Sequence, residues 1–152
     1  ESVVRRHRLA EKLAVDVLRI DLKRAHEEAH RLEHAFSPYL ESKVVELLGN
    51  PTTCPFGHPI PGSNYCRNPN VITLDKTKMG YRYQVDRIPE DDFELLGYFV
   101  DNSFLPGTTL ELSDVSRSRG VITLQSEAHE LVFSMDVSRL IWVRPCDDGS
   151  TL

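Results

Sequence analysis

Three histidines recur at every fourth position in the stretch AHEEAHRLEHAFSP: His26, His30 and His34. A helix advances about 100° per residue, so with His26 at zero, His30 falls near 40°, Glu33 near −20° and His34 near 80°. Four ligand-type side chains thus share one face. Upstream, His7 and Glu11 stand at i and i+4, a spacing that sets Cβ atoms about 5–6 Å apart and within reach of one divalent ion. Imidazole with carboxylate and no thiolate suits manganese, iron, cobalt, nickel or zinc rather than calcium or magnesium. Three other readings compete. Such pairs are also ordinary solvated ion pairs, and clustered histidines titrate together near about pH 6 as a proton switch. Glu27-x-x-His30 also matches one unit of a di-iron carboxylate bundle, an enzyme reading whose second unit would have to come from a dimer. No Ser, His and Asp set stands in an elbow or loop context, so no catalytic residue is assigned.

The elements that carry these side chains follow from apolar spacing. Leu9, Leu13, Val17 and Ile20 form one stripe of a helix over about residues 3–20. Asp21 suits an N-cap for a second helix with Leu22, Ala25, Ala29, Leu32 and Phe36 as its buried stripe. Ser37-Pro38 reads as N-cap and first helical position of a third helix, with Leu40, Val44, Leu47 and Leu48 apolar and Gly49 as its stop. Proline at positions 51, 55, 59, 61 and 69 then forbids regular structure and predicts an ordered, stiff loop running into a linker. Cys54 and His58, spaced C-x₃-H, lack a second pair of ligands, and the surrounding Pro and Gly favour a turn. From residue 79 the period changes to two: Tyr81, Tyr83 and Val85 alternate with polar residues. PEDDFELLGYFVDN suggests one short helix, and Leu110 with Leu112, GVITLQ, HELVFSM and LIWVR suggest strands, with Trp142 in the core. The fold class is therefore α+β: a helical domain over residues 1–62, a linker over 63–78, and a small SH3-like β-barrel over 79–146.

Composition narrows the function classes. The formal net charge of −5 over 152 residues gives no global field for nucleic acid or anionic membrane. No apolar run approaches the roughly 18 residues of a membrane span. Three irregularly placed cysteines fit a reducing compartment, hence a cytoplasmic chain. A barrel of this type could also act as a proline-peptide module, with Tyr81, Tyr83, Tyr98 and Phe99 as its aromatic groove.

The helix HEEAHRLEHAFSPYLESKVVELLG running into NPTTCPFGHPIPG, preceded by RRHRLAEKLAVDVL, resembles the diphtheria toxin repressor family of metal-dependent transcriptional regulators. The likeness extends over nearly the whole chain. It implies a homodimer that senses iron or manganese, with zinc, cobalt or nickel able to substitute in vitro. It also implies operator DNA contact through a winged helix-turn-helix, an N-terminal domain absent from these 152 residues. Carried over by position, His7, Glu11 and His26 form an anchor site, while His30, Glu33 and His34 form a regulatory site. Iron-responsive members resemble Glu-Ala-Cys where this chain has Glu28-Ala29-His30, and manganese-responsive ones tend to carry Glu at position 30. His30 therefore leaves iron against manganese open. In iron-responsive members the SH3-like domain adds an acid and a glutamine to the anchor site. Counting back from Pro106-Gly107 places Asp92 and Leu95 there, and leucine binds no metal; Asp91, Asp92 or Glu94 are the substitutes at hand. Leu9, Leu13, Val44 and Leu48 are assigned either to the dimer interface or to the core, which spacing alone does not separate.

Overall fold

The computed structural model describes residues 2–127 and 129–146. They form two compact units, one up to Arg67 and one from Asn68.

The first unit contains α1 (Ser2–Asp16), α2 (Leu22–Glu33) and α3 (Pro38–Leu47). Its core joins Leu9, Ala10, Ala29, Phe36, Val44 and Ile60, with Leu13, Leu32, Val45 and Leu48 packed against it. Small side chains line the α1–α2 seam: Ala10 and Ala14 on one helix and Ala25 and Ala29 on the other are fully buried. Alanine lets two helices approach closely, because interaxial distance follows the bulk at the contact. Across the same seam His7 of α1 meets His26 and Glu33 of α2.

Local signals explain most boundaries. Ser37 accepts a hydrogen bond from the Leu40 amide and Pro38 occupies the first turn, as its sequence predicts. At the other end Gly49 adopts φ 72°. Its amide bonds the Glu46 carbonyl and that of Asn50 bonds Val45, the paired pattern that closes a helix with a left-handed residue. The first helix stops four residues before the spacing suggests. Arg19 takes φ 59° and reverses the chain without glycine or proline to flag the stop, so Val17 is left 42% exposed. Beyond α3 the proline-rich segment is ordered: Thr53 bridges Pro59, the Cys54 amide donates to the His58 carbonyl, and Phe56 is fully buried. Arg5 fastens it, donating to the Pro61 carbonyl and to the Glu41 carboxylate, each at 2.7 Å.

The second unit is one antiparallel sheet of β1 (Ile72–Thr73), β2 (Arg82–Arg87), β3 (Thr109–Ser116), β4 (Val121–Ser126), β5 (Glu130–Ser134) and β6 (Trp142–Pro145), in the order β1-β6-β2-β3-β4-β5. Helix α4 (Phe93–Asp101) sits between β2 and β3, and a single turn, α5 (Met135–Ser138), between β5 and β6. Period-two strands with one early helix are what the alternation predicts. Residues 72–76 fall in the stretch read as linker, yet β1 pairs with β6 and Leu74 is fully buried; two residues are too short for alternation to show. Trp142 is a correction. It is only part-buried, and the Arg87 guanidinium covers its ring at 4.8 Å, so its aromatic surface faces a cation rather than the core. The aromatic groove is a second correction. Tyr83 and Phe99 are buried, and the Phe99 ring packs against Phe104 and Phe133, so the four aromatics do not share one exposed surface. Asp92 caps α4 by accepting from the Leu95 amide. None of the three cysteines forms a disulfide; Cys54 is buried and Cys66 exposed. Among the described residues no helix is long and apolar enough to cross a membrane.

Candidate metal centre

The α1–α2 seam collects the histidine-rich faces. His7 Nε2 lies 3.0 Å from Glu11 Oε2 and 3.1 Å from His26 Nδ1, and His26 Nδ1 lies 3.0 Å from the same Glu11 oxygen. Three donor atoms thus form a nearly equilateral triangle. Glu11 has no exposed surface although its side chain is an ionisable carboxyl. Burying a carboxylate is costly unless something positive or strongly hydrogen-bonding offsets it.

Behind the triangle stands Glu33. Its Oε1 lies 2.6 Å from His7 Nδ1, with the two side chains 13% and 7% exposed. A carboxylate only accepts, so Nδ1 carries the proton; in the neutral ring Nε2 is then the lone-pair nitrogen, facing Glu11 and His26. A histidine held by a carboxylate on one nitrogen and open to an ion on the other is the usual outer support of a metal ligand.

The triangle also has the right size. With metal–ligand bonds of about 2.1 Å, adjacent donors of an octahedral ion lie about 3.0 Å apart. The three donor atoms already stand at that separation. Residues, spacing and outer support all fit a divalent transition metal.

Sequence spacing predicts two sets of ligands, and the structure places them unequally. His7, Glu11 and His26 converge. His30 and Glu33 turn toward the same cluster: Glu33 to His7, and the His30 ring 4.6 Å from His7 and 4.8 Å from His26 between centroids. His30 Nδ1 also lies 3.5 Å from Glu33 Oε1. His34 follows the last turn of α2 as its exposed C-cap; among the described residues, no group of metal-ligating side chains gathers on it. Glu27 is exposed, and no such group includes it. Glu28 pairs with Arg24 and Arg31 on the outer face. Spacing on a single helix gives no sign that Glu33 serves a histidine of α1. That link depends on how the two helices pack.

Comparison with known proteins accords with this geometry. Residues 1–62 match the family model described as "Iron dependent repressor, metal binding and dimerisation domain", and residues 72–145 match the FeoA domain, which is SH3-like. Through both matches the chain is similar to the iron-dependent repressors. One member, the iron-dependent repressor IdeR of Mycobacterium leprae, is 28% identical over 157 aligned positions, which cover 91% of this chain and 68% of that protein. The diphtheria toxin repressor of Corynebacterium glutamicum is 46% identical over 145 positions, covering 86% of this chain and 62% of that protein. The chain therefore spans about two thirds of the length of these relatives. A solved manganese-dependent transcriptional repressor, in complex with manganese, superposes with a TM-score of 0.85 at 29% identity, over 95% of this chain and 70% of that one. Family members such as these are transcriptional repressors rather than enzymes.

Proposed function

We propose that these 152 residues are the metal-sensing and dimerising part of a divalent-metal-dependent transcriptional repressor, responsive to iron or manganese. The observation that carries this reading is the triangle of His7, Glu11 and His26 with Glu33 behind it. These three hold the anchor ion. His30, Glu33 and His34 are the second, regulatory set, completed by donors from the winged helix-turn-helix that also contacts operator DNA in the cytoplasm. That domain lies outside this sequence, in keeping with the share of the relatives that the chain spans. The bound ion supplies positive charge and directional bonds between helices. The chain's own residues hold that geometry ready: Glu33 fixes the His7 ring, buried Glu11 offers the charge, and the alanine seam sets the helix separation. Metal acts on DNA affinity only by binding the DNA-competent arrangement better than the loose one, and about 1–3 kcal/mol of such coupling suffices.

Homodimerisation is supported by what the core leaves over. Leu9 and Val44 are buried within the protomer, with Leu13 and Leu48 packed against that core. Val3, Val4, Tyr39, Leu40 and Leu47, on α1 and α3, stay 41–72% exposed. A two-fold interface would cover these apolar side chains.

The test is anaerobic calorimetry of this chain with Mn(II), Fe(II) and Zn(II), beside a His7→Ala, His26→Ala double variant. The wild type binds, and the variant loses one site per chain. Equal binding by both proteins, or none by either, refutes the assignment.

A further inference from the structure

The second unit holds a cavity that the candidate metal centre does not use. Its volume is about 490 Å³, inside the range of small-molecule sites, roughly 300–1,000 Å³. Its wall runs from β1 through the turn that follows to the start of β2, with the end of β6 alongside. Lys76, Lys78 and Arg82 line it, and no acidic side chain among the described residues does. In a chain of net charge −5, this gathers positive charge against the sign of the whole, and a concave wall focuses that field. Both lysines are exposed, and neither makes an ion pair among the described residues. Ile72 and Tyr81 supply apolar surface. Tyr83 adds a buried polar group, 6% exposed, whose hydroxyl oxygen accepts from the Lys78 amide at 3.1 Å. That bond fixes the turn carrying both lysines, together with the Thr77 amide and hydroxyl, which donate to the Leu74 carbonyl. A phenol also has a proton to give, and among the described residues no acceptor takes it. The charged and buried polar groups of this cavity are therefore all donors, and a buried donor without an acceptor is costly until a ligand or water supplies one.

We propose that this cavity binds a small organic anion: a carboxylate, sulfonate or phosphate head on a flat apolar body. Lys76, Lys78 and the Tyr83 hydroxyl receive the head, and Ile72 and Tyr81 cover the body. Hydrogen bonds to an ionised acceptor are about twice as strong as neutral ones, so the head sets the affinity and the apolar wall selects against bare inorganic anions. Every residue involved belongs to the unit that starts at Asn68. The inference therefore stands or falls apart from the metal centre.

The test is an amide NMR titration of the whole 152-residue chain with three probes. Naphthoate carries charge and a flat body, naphthalenemethanol the body without charge, and acetate the charge without the body. Naphthoate is expected to give saturable shifts at the amides of Ile72, Lys78, Tyr81, Arg82 and Cys146. Each of the other two probes binds at least about tenfold more weakly, the loss that removing a charged hydrogen-bond partner brings. A Lys76→Gln, Lys78→Gln double variant, both positions being exposed, weakens naphthoate by about tenfold or more with the remaining spectrum unchanged, whereas Lys43→Gln on the exposed face of α3 leaves it as in the wild type. Equal binding of naphthoate and its alcohol would make the cavity an apolar slot and overturn the proposal. So would acetate binding as tightly as naphthoate, shifts confined to other residues, or a double variant within about twofold of wild type.

Discussion

Replacing Glu33 with glutamine keeps an acceptor oxygen on a stem of the same length but removes its charge. The bond to be weakened is the one from His7 Nδ1, 2.6 Å long between groups 13% and 7% exposed. Hydrogen bonds to a charged partner contribute about 1.5–3 kcal/mol net, and about half of that depends on the charge. The loss is therefore about 0.8–1.5 kcal/mol of His7 orientation, or about four- to twelvefold in metal affinity. Glu33→Ala removes the acceptor altogether and leaves a buried N–H unsatisfied, which corresponds to about ten- to a hundredfold, the usual range for the outer support of a ligand. Calorimetry with Zn(II) at neutral pH measures both, with Glu46→Gln on the exposed face of α3 as control. The number of ions bound at the triangle stays at the wild-type value throughout. Two results refute the reasoning: affinity within twofold of wild type in Glu33→Ala, or loss of the ion from the triangle in Glu33→Gln, which would make Glu33 itself a ligand there.

Other consequences are open to measurement. Leu47 is 64% exposed on α3, and Leu47→Glu is expected to shift the chain from dimer to monomer in sedimentation equilibrium while leaving its helical circular dichroism unchanged; a dimer of undiminished affinity would move the interface elsewhere. Leu9 is fully buried at the centre of the helical core, so Leu9→Ala costs about 2–5 kcal/mol in denaturant unfolding. A loss below about 1 kcal/mol would show that the site collapses around the cavity. The Glu127 carboxyl lies below its usual range because the Thr109 hydroxyl, and then the Thr109 amide, donate to it. A lowered folded value means that this contribution to stability is present above the ordinary carboxylate range and lost as pH falls through the folded value. Thr109→Val removes the larger of the two bonds, so NMR titration of Glu127 should move back toward its ordinary value; an unchanged midpoint would assign the shift to the amide alone.

Much of this chain is legible wherever the determining interaction is local. Ser37-Pro38 and Gly49 bracket α3 because a cap bond and a left-handed residue act within one turn. Strands β2 to β5 follow from alternation, because side chains on a strand change face at every residue. Where no local signal exists the reading slips. Arg19 ends the first helix without glycine, and Trp142 alternates like a core residue while lying under Arg87.

The same division runs through the candidate metal centre. Residues at i, i+3 and i+4 share a helix face whatever surrounds them, so the sequence by itself determined that His7 with Glu11, and His26 with His30, Glu33 and His34, are presented together. Which atoms meet across the two helices was decided only by the tertiary structure. His7 reaches His26 over 19 residues of chain and Glu33 over 26, and both meetings depend on the close packing of Ala10, Ala14, Ala25 and Ala29. That packing makes Glu33 a support for His7, sets the His30 ring beside those of His7 and His26 and leaves His34 at the exposed end of α2. Periodicity fixes the direction of a side chain about its own axis. The distance and rotation between two axes depend on every side chain in the seam at once, and no single spacing carries that information.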